Sequence, residues 1–308
     1  MNNEEDQLKK IIVTGATSML GTALIDVAVS KGTEVYAIVR PDTNRMDRLN
    51  GSDLVHVVSC ALEDLDKLCG IPSDCDALYH FAWEGAKKEE REDPMTHARN
   101  IKYTLDAVEA AKRFGCKKFI GVGSQAEYGP VGGVILEDTP CAPKTPYGIG
   151  KLCAGLLSRK LCEKYGIIHI WGRVFSVYGP HDNKGTMIDY AIERFSNRER
   201  AQFSSGEQAW NYLYESDCGM IFYLLGEKIE SDSIYRIAHP ESRALRDYIS
   251  EMADIMDAKD LCSFAEKTGD GSVYGIETKD EKLFSDIGFV PEVSFAEGIR
   301  RILDTRGL

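Results

Sequence analysis

Apolar residues in the first half of the chain follow two periods that alternate. Short β-rich segments such as "KIIVTG", "TEVYAIVR" and "CDALYHFAW" are separated by longer ones such as "SMLGTALIDVAVSKG" and "NIKYTLDAVEAAKRFG". In the longer segments, apolar residues recur at the three- and four-residue spacing of a helix. Strands that alternate with helices are typical of βαβ units, whose parallel sheet is covered on both faces. The pattern therefore predicts a doubly wound α/β fold.

The alternation becomes irregular beyond about residue 178. Residues such as Pro180, Gly206, Pro240 and Pro291 break this part of the chain into shorter segments. Such a pattern is typical of a smaller mixed domain that is built partly from insertions. We therefore expect two domains, the first organised around the parallel sheet and the second following it.

The first strand leads into a glycine turn in "IIVTGATSMLGTAL". Gly15 and Gly21 suit a sharp turn and a close approach of the backbone to a pyrophosphate, at which the N–H groups of the next helix point. Ser18 stands where a dinucleotide-binding turn has its middle glycine, so the turn alone is a weak match, and a plain strand-to-helix turn is the alternative. The strand before it and the amphipathic helix after it favour a Rossmann-type dinucleotide site.

A second strand ends at Arg40, where a dinucleotide-binding fold places the residue that contacts the ribose of the cofactor. An acidic residue there binds the 2′-hydroxyl of NAD, whereas an arginine can pair with the 2′-phosphate of NADP. Arg45 and Arg48 would add to the same basic patch. The alternative is that Arg40 is only a solvated charge at the end of a strand. We therefore predict NADP as the cofactor, with NAD as the alternative.

The segments "GVGSQAEYG" and "TPYGIGK" place Ser124 upstream of a Y-x-x-x-K pair, Tyr147 and Lys151. Residues four apart share a helix face, so the ammonium can lie beside the phenol. A phenol with a pKa of about 10 is a poor acid or base until a neighbouring cation, joined by an oxidised nicotinamide, stabilises the phenolate. Ser124 would hold the substrate oxygen while Tyr147 moves its proton and the nicotinamide moves hydride. A core tyrosine with a surface lysine is the alternative, but the serine and the glycine turn favour catalysis.

Composition narrows the classes of partner. The 308 residues include 43% hydrophobic and 28% charged residues, and the formal net charge is -12. An acidic chain repels nucleic acid and anionic lipid, so we expect a small-molecule substrate, no nucleic acid and no membrane. The segment "MNNEEDQLKK" has no apolar signal core, and no segment approaches the roughly 20 apolar residues of a membrane helix, which predicts a cytoplasmic protein. Nine cysteines without a C-x-x-C pair and six histidines without ligand spacing predict reduced thiols and no metal site.

Together these motifs resemble those of the extended short-chain dehydrogenase/reductases, specifically the NAD-dependent epimerase/dehydratase group that acts on nucleotide sugars. The resemblance covers nearly the whole chain and rests on "TGATSMLG", "YHFAW", "GVGSQAEYG" with "PYGIGK", "RVFSVYGP" and "SSGEQAWNYLYESD". It implies an α/β fold with a Rossmann-type doubly wound parallel sheet and a smaller mixed C-terminal substrate domain. The implied NAD(P)-binding domain spans residues 1–178 with a returning segment at about 210–238, and the implied substrate-binding domain spans 179–308.

The resemblance also implies the functional residues, and none of them is a metal ligand. The implied catalytic residues are Ser124, Tyr147 and Lys151. The implied cofactor-binding residues are Gly15, Thr17, Ser18, Met19, Leu20, Gly21, Arg40, Leu62, Phe81, Ala82 and Trp83, together with Tyr147 and Lys151. The implied substrate-binding residues are Ser124, Gln125, Ser176 and Trp210.

Several positions depart from the pattern of the group. Ser18 replaces the middle glycine, which its hydroxyl can compensate by capping the following helix. Ala61 replaces an aspartate that contacts adenine. Gln125 and Ala126 stand where the dehydratases carry an Asp-Glu pair that eliminates water, and Glu127, one position further on, is not assigned that role. Elimination chemistry is therefore disfavoured.

The substrate side departs from the pattern as well. Ser176 replaces a common asparagine, and Trp210 replaces an arginine that binds diphosphate in many members. Other cations, such as Lys184, Arg243 or Arg246, could take over this contact, and the alternative is a substrate without a diphosphate. Trp83 and Trp210 could line a sugar pocket by stacking, or pack as ordinary core or hairpin aromatics.

Three functions are compatible with these residues. A 4-keto-sugar reductase that uses NADPH is favoured by Arg40 and by the missing elimination pair. A 4-epimerase that keeps NAD bound uses the same Ser-Tyr-Lys group and is the first alternative, and a non-catalytic NADP-binding relative is the second. The resemblance further implies a homodimer formed by helices over about 96–114 and 147–165. Apolar residues available for such a contact are Leu156, Leu157 and Leu161.

Overall fold

A seven-stranded sheet lies at the centre of the computed structural model, which describes residues 7–266, 275–278 and 280–308. All neighbouring strands in this sheet are parallel, in the order β11-β6-β5-β4-β1-β2-β3. The strands are β1 (Lys10–Thr14), β2 (Glu34–Val39), β3 (Val55–Ser59), β4 (Ala77–His80), β5 (Lys118–Ser124), β6 (Ile168–Val174) and β11 (Ser233–Ile237). This arrangement confirms the predicted α/β fold with a Rossmann-type doubly wound parallel sheet.

Helices cover both faces of this sheet, with α1 (Met19–Ser30), α5 (Glu215–Lys228) and α7 (Glu281–Ile287) on one face and α2 (Pro94–Arg113) and α3 (Pro146–Tyr165) on the other. The helices α4 (Met187–Ser196), α6 (Leu245–Ile255) and α8 (Phe295–Arg306) pack in a separate core. Short 3-10 helices span Met46–Arg48, Leu62–Lys67, Lys88–Glu90, Gln125–Glu127 and Lys259–Leu261. Ile11 of β1 packs in one core with Leu24 of α1 and Phe222 of α5, whereas Ile12 packs in another with Val108 of α2. Because successive strand residues face opposite sides, a sheet buried on both faces requires the continuous apolar runs seen in the sequence.

Side chains cap the starts of six α-helices in the described residues, including α1, α2 and α3. Each N-cap side chain accepts a backbone N–H of the first turn, and these residues are Ser18, Asp93, Thr145, Thr186, Asp280 and Ser294. Proline also occupies the first turn of α2 and α3, where its missing N–H costs nothing. These caps fix where α1 and α3 begin and therefore where their first residues point.

A second core is built mainly from the chain beyond β6. Short strands pair there: β7 (Ser176–Tyr178) with β10 (Tyr212–Tyr214), β8 (Ala201–Phe203) with β13 (Cys262–Phe264), and β9 (Ala209–Trp210) with β12 (Arg243–Ala244). Its buried side chains come from α4, α6, α8 and these strands, and include Ile192, Phe195, Tyr248 and Phe295. In the chain between α5 and β12, β11 returns to the edge of the seven-stranded sheet, where it pairs with β6.

Gly21 allows α1 to lie directly against the turn after β1, and this contact generates a stability prediction. A Cβ at this position would overlap the carbonyl oxygen of Gly15 and crowd Ala16. We therefore expect Gly21→Ala to lower the free energy of unfolding by about 1–3 kcal/mol despite the higher helix propensity of alanine. Urea denaturation measures this difference. The control is Gly132→Ala, where an added Cβ meets open space, and equal stability of the two variants would contradict the prediction.

Candidate active site

The carboxyl ends of three neighbouring strands meet around a buried histidine. Thr14 ends β1, His80 ends β4 and Ser124 ends β5. The Thr14 hydroxyl lies 2.9 Å from Nδ1 of His80, and the Thr104 hydroxyl lies 3.3 Å from its Nε2. Burial, helped by the charge of Lys151, lowers the pKa of His80 to about 3. His80 is therefore neutral at working pH and serves to hold the strand ends together.

The predicted glycine turn lies where the order of the strands reverses, between β1 and β4. Gly15 adopts a left-handed conformation, with φ of 69°, and its backbone lies so close to that of Ala82 that a side chain would not fit. Ser18 caps α1, because its Oγ accepts the N–H of Gly21 at 3.1 Å. The first-turn N–H groups of Met19 and Leu20 have no acceptor one helical turn earlier. An anion would find partial positive charge and free donors here, so the turn fits a pyrophosphate.

The remaining predicted cofactor residues follow the ends of adjacent strands at the same edge of the sheet. Phe81 is buried against Phe222, and the N–H of Ala82 approaches the Thr14 hydroxyl at 3.4 Å. Leu62 is buried at the start of the 3-10 helix after β3. Arg40, just beyond β2, is exposed and has no ion-pair partner among the described residues. Its guanidinium is thus open to solvent.

Ser124, Tyr147 and Lys151 are brought together by the contact between β5 and the start of α3. Tyr147 is buried in the first turn of α3, and the side chain of Ser124 lies beside its hydroxyl. Lys151 lies one turn later, where its Nζ donates to the carbonyl oxygen of Val122 at 2.8 Å. The same Nζ lies 3.8 Å from the ring centre of Trp83 and 6.0 Å from that of Tyr147.

Burial controls the protonation of this group. It raises the pKa of Tyr147, whereas the positive charge of Arg91 and the side chain of Ser124 oppose this rise. Burial also lowers the pKa of Lys151 to about 7, although the carboxylate of Glu127 acts in the other direction. In the protein alone the phenol therefore keeps its proton, and the lysine changes charge near neutral pH.

A buried ion pair beneath Ser124 was not predicted as part of the site. Glu127 is fully buried and accepts three hydrogen bonds, from the Ser124 N–H at 2.9 Å, Nε1 of Trp171 at 3.0 Å and Nε of Arg173 at 2.7 Å. Arg173 also donates to the hydroxyl of Tyr128 at 3.0 Å. Ser124 Oγ in turn accepts the N–H two residues later, which completes a capping box. The pattern S-x-x-E in "SQAE" was the signal that could have revealed this role.

Sequence reasoning also missed two residues that contact Tyr147 from the side of α2. The guanidinium carbon of Arg91 lies 4.8 Å from the ring centre of Tyr147. His97 is buried against the same ring and receives a hydrogen bond from Nε1 of Trp83 at 3.3 Å. No motif marks either residue. Arg91 precedes α2 and His97 lies in its first turn, whereas Tyr147 starts α3 much further along the chain.

The predicted substrate residues lie on three different elements. Gln125 opens the 3-10 turn directly after Ser124. Ser176 starts β7 and is paired in register with Tyr212. Trp210 packs between the second core and a small cluster that includes Phe175, so it has a structural role in addition to any contact with substrate.

Of the three cations considered as replacements for the missing arginine, Arg243 lies directly opposite Trp210 in the β9–β12 pair. Its Nη2 binds Glu251 at 2.7 Å, and its guanidinium stacks on the ring of Tyr248 at 4.0 Å. Arg246 lies over Phe264, and Lys184 is exposed. Arg243 is thus the cation closest in the sheet to the position of the missing arginine.

Two further properties concern the described part of the chain as a whole. The nine cysteines are free thiols. Among residues 7–266, 275–278 and 280–308, no helix is both long and apolar enough to cross a membrane.

A parallel sheet with a glycine turn at its switch point and a Ser-Tyr-Lys group at the same edge defines a short-chain dehydrogenase-type, dinucleotide-binding protein. Residues 11–238 match the profile of the NAD dependent epimerase/dehydratase family. The chain belongs to this family, and the protein is an enzyme. This confirms the resemblance seen in the sequence and argues against a non-catalytic relative.

Individual relatives are distant in sequence but cover the whole chain. The chain is 23% identical over 308 residues to UDP-glucose 4-epimerase of Mycolicibacterium smegmatis, with 96% of this chain and 97% of that protein aligned. The UDP-glucose 4-epimerase of Thermotoga maritima, solved with UDP-glucose, matches with a TM-score of 0.83 at 20% identity and covers 97% of this chain and 98% of its own. The UDP-glucuronic acid 4-epimerase of Bacillus cereus, solved with NAD, matches with a TM-score of 0.81 at 23% identity and covers 96% and 97%. The two solved structures show that nearly the whole chain adopts the same fold.

The Glu127–Arg173 pair generates a prediction about stability. Glu127→Leu leaves the Arg173 guanidinium buried without its carboxylate, so we expect a loss of about 3–5 kcal/mol in the free energy of unfolding. In the double variant Glu127→Leu/Arg173→Met no unpaired charge remains, and part of that loss should be recovered, because the N–H groups of Ser124 and Trp171 still lack their acceptor. Urea denaturation of both variants provides the measurement. The control is removal of the Glu163 carboxylate from the exposed pair Lys160–Glu163. If Glu127→Leu lowered the free energy of unfolding no more than this control does, the buried ion pair would be contradicted.

Proposed function

We propose that this protein is an NAD-dependent UDP-sugar 4-epimerase. The observation that carries the proposal is the contact between Ser124 and Tyr147, beside Lys151, at the edge of the sheet where the glycine turn lies. The names of relatives aligned over 96% of the chain and more support a 4-epimerase and a UDP-sugar. The NAD-dependent family supports NAD, so Arg40 is proposed to face solvent near the ribose without a 2′-phosphate to bind.

The cofactor is proposed to lie across the switch point of the sheet. The turn from Gly15 to Gly21 would hold the pyrophosphate, and residues 81–83 and Lys151 would flank the nicotinamide half. When bound, NAD supplies a reversible two-electron oxidation at C4 of the sugar.

Tyr147 is proposed to take the proton of the C4 hydroxyl and to return it after the keto-sugar has turned over in the pocket. Ser124 is suited to hold the reacting oxygen, because its Oγ accepts the N–H of Ala126 and so keeps its own proton available for donation. Lys151 stabilises the phenolate, and burial strengthens this charge interaction by excluding water. Cofactor and tyrosine both end the cycle in their starting states.

The position of Glu127 argues against a dehydratase. A dehydratase needs carboxyl groups that face the substrate, but Gln125 and Ala126 provide none. The carboxylate of Glu127 is buried and engaged by three donors, one in β5 and two in β6. It therefore cannot serve as the acid or base of an elimination.

Substrate binding, domain division and assembly are also proposed. Gln125, Ser176 and Trp210 would line the sugar side, with the second core as the substrate-binding domain over 179–308.

A homodimer through α2 and α3 is supported by exposed apolar side chains, namely Met95 on α2 and Ile149, Leu156 and Leu157 on α3.

Isotope transfer tests the proposed reaction. The protein is loaded with NAD and incubated with UDP-glucose, UDP-N-acetylglucosamine or UDP-glucuronic acid carrying deuterium at C4. We expect one of them to yield its C4 epimer with the deuterium retained and without net formation of NADH, because the same hydrogen leaves and returns. Mass spectrometry of the products and of the nucleotide released by denaturation measures both. Oxidation of NADPH when a 4-keto nucleotide sugar is added, without interconversion of the C4 epimers of these UDP-sugars, would instead establish a reductase.

Replacing the tyrosine tests the proposed acid–base group. Tyr147→Phe removes the hydroxyl and should lower kcat by about two to four orders of magnitude, the usual range for losing general acid–base catalysis. Binding of NAD, followed by fluorescence titration, should change little. Tyr165→Phe, at the other end of α3, is the control. If Tyr147→Phe kept activity within a few-fold of the original protein, the mechanism would be wrong.

A further inference from the structure

Arg91 contacts the proposed catalytic tyrosine through both its side chain and its backbone. Its guanidinium carbon lies 4.8 Å from the ring centre of Tyr147. Its Nε donates to the carbonyl oxygen of Ala86 at 2.9 Å, which restrains the side chain. Its own carbonyl oxygen accepts the N–H of Tyr147 at 3.1 Å. The segment between β4 and α2 is therefore tied to the first turn of α3 at the tyrosine itself.

The same carbonyl oxygen is bound a second time, by His97. The indole N–H of Trp83 can only donate, so Nδ1 of His97 is the acceptor in their 3.3 Å contact. The ring proton of His97 is then on Nε2, which donates to the carbonyl oxygen of Arg91 at 3.1 Å. His97 thus fixes the position of the Arg91 backbone through its Nε2 proton.

Arg91 makes this contact although acids flank it in the chain. The neighbouring acidic residues are Glu89, Glu90, Glu92 and Asp93. Within the described residues Arg91 forms no ion pair with any of them, and its guanidinium lies over the tyrosine ring instead. The described contacts of the Arg91 side chain are thus with the ring of Tyr147 and the carbonyl oxygen of Ala86.

Arg91 is also the closer cation to the ring. Nζ of Lys151 lies 6.0 Å from the ring centre and is engaged by Val122 and Trp83. Burial brings the pKa of Lys151 to about 7, whereas a guanidinium remains charged at every working pH. The other ionisable group near the phenol is Glu127, whose charge opposes phenolate formation but is neutralised by Arg173.

We propose that Arg91 is a positioning residue for Tyr147. The permanent positive charge of Arg91 stabilises the phenolate, and its backbone carbonyl oxygen fixes the start of α3. The proposal rests on the proposed role of Tyr147 as the acid–base group. It assigns the two cations different positions. Lys151 acts on the phenolate from the side of Trp83, and Arg91 acts on it from the side of α2.

The test uses NAD-loaded protein with Arg91→Met, Arg91→Lys and Arg99→Met. Arg99 is an exposed arginine on the same side of the molecule that does not contact Tyr147. Two quantities are measured: the pH profile of kcat for C4 epimerisation, and tyrosinate absorbance as a difference against Tyr147→Phe. Most other buried tyrosines, such as Tyr178 and Tyr212, have a pKa raised by burial and do not interfere near neutral pH.

We expect Arg91→Met to raise the apparent pKa in both measurements by about one unit, which is a tenfold lower phenolate fraction below that pKa. KM should change less than about threefold, Arg91→Lys should restore part of the shift, and Arg99→Met should match the original protein. An unchanged tyrosinate pKa in Arg91→Met, or a rise in KM alone, would overturn the proposal. If Arg91→Met does not fold, as judged by circular dichroism, Arg91→Gln takes its place.

The experiment separates this proposal from the proposed function. If the difference against Tyr147→Phe reveals no ionising tyrosine, or if Tyr147→Phe stays active, the role of Tyr147 itself is wrong. If Tyr147 ionises as expected but its pKa does not respond to Arg91, only the role of Arg91 is wrong.

Discussion

All strands of a parallel sheet end at one edge, and the candidate site depends on this constraint. Thr14, His80 and Ser124 are the last residues of β1, β4 and β5, which are neighbours in the sheet. Strand order reverses between β1 and β4, where α1 leaves toward one face and α2 toward the other. The crevice formed there receives the glycine turn from one strand and the serine from another. Residues far apart in the chain thus share one site because their strands are neighbours in the sheet.

Burial gives this site its chemistry, and partner groups offset its cost. An isolated charge costs several kcal/mol to bury, so each buried ion here has a partner. Glu127 has Arg173, and Lys151 has the carbonyl oxygen of Val122 and the face of Trp83. The same partners restrict movement, because the Glu127 carboxylate also holds the N–H of Ser124. A serine fixed in this way is already oriented before substrate arrives, which lowers the entropic cost of reaching the transition state.

Local motifs explain which parts of the site could be predicted. The expected cap by Ser18 is present, because capping involves residues three apart in the chain. Glu127 was not predicted to be part of the site, because it lies one position beyond the acidic pair of the dehydratases. It is nevertheless the fourth residue of a capping box. Arg40 suggested NADP, but an exposed arginine at a strand end does not by itself select a phosphate, and the family is NAD-dependent. No sequence motif indicated the role of Arg91, because none of its neighbours in the chain predicts a contact with a tyrosine ring.

The sequence by itself determined the alternation of strands and helices, the glycine turn and the Y-x-x-x-K pair. Each of these is set by residues within about two helical turns of one another, where periodicity and conformational preference act. Only the tertiary structure decided which charges lie together, such as Glu127 with Arg173 and Arg91 with Tyr147. These contacts join distant segments, and their strength depends on how much water the surrounding fold excludes, which no local pattern contains.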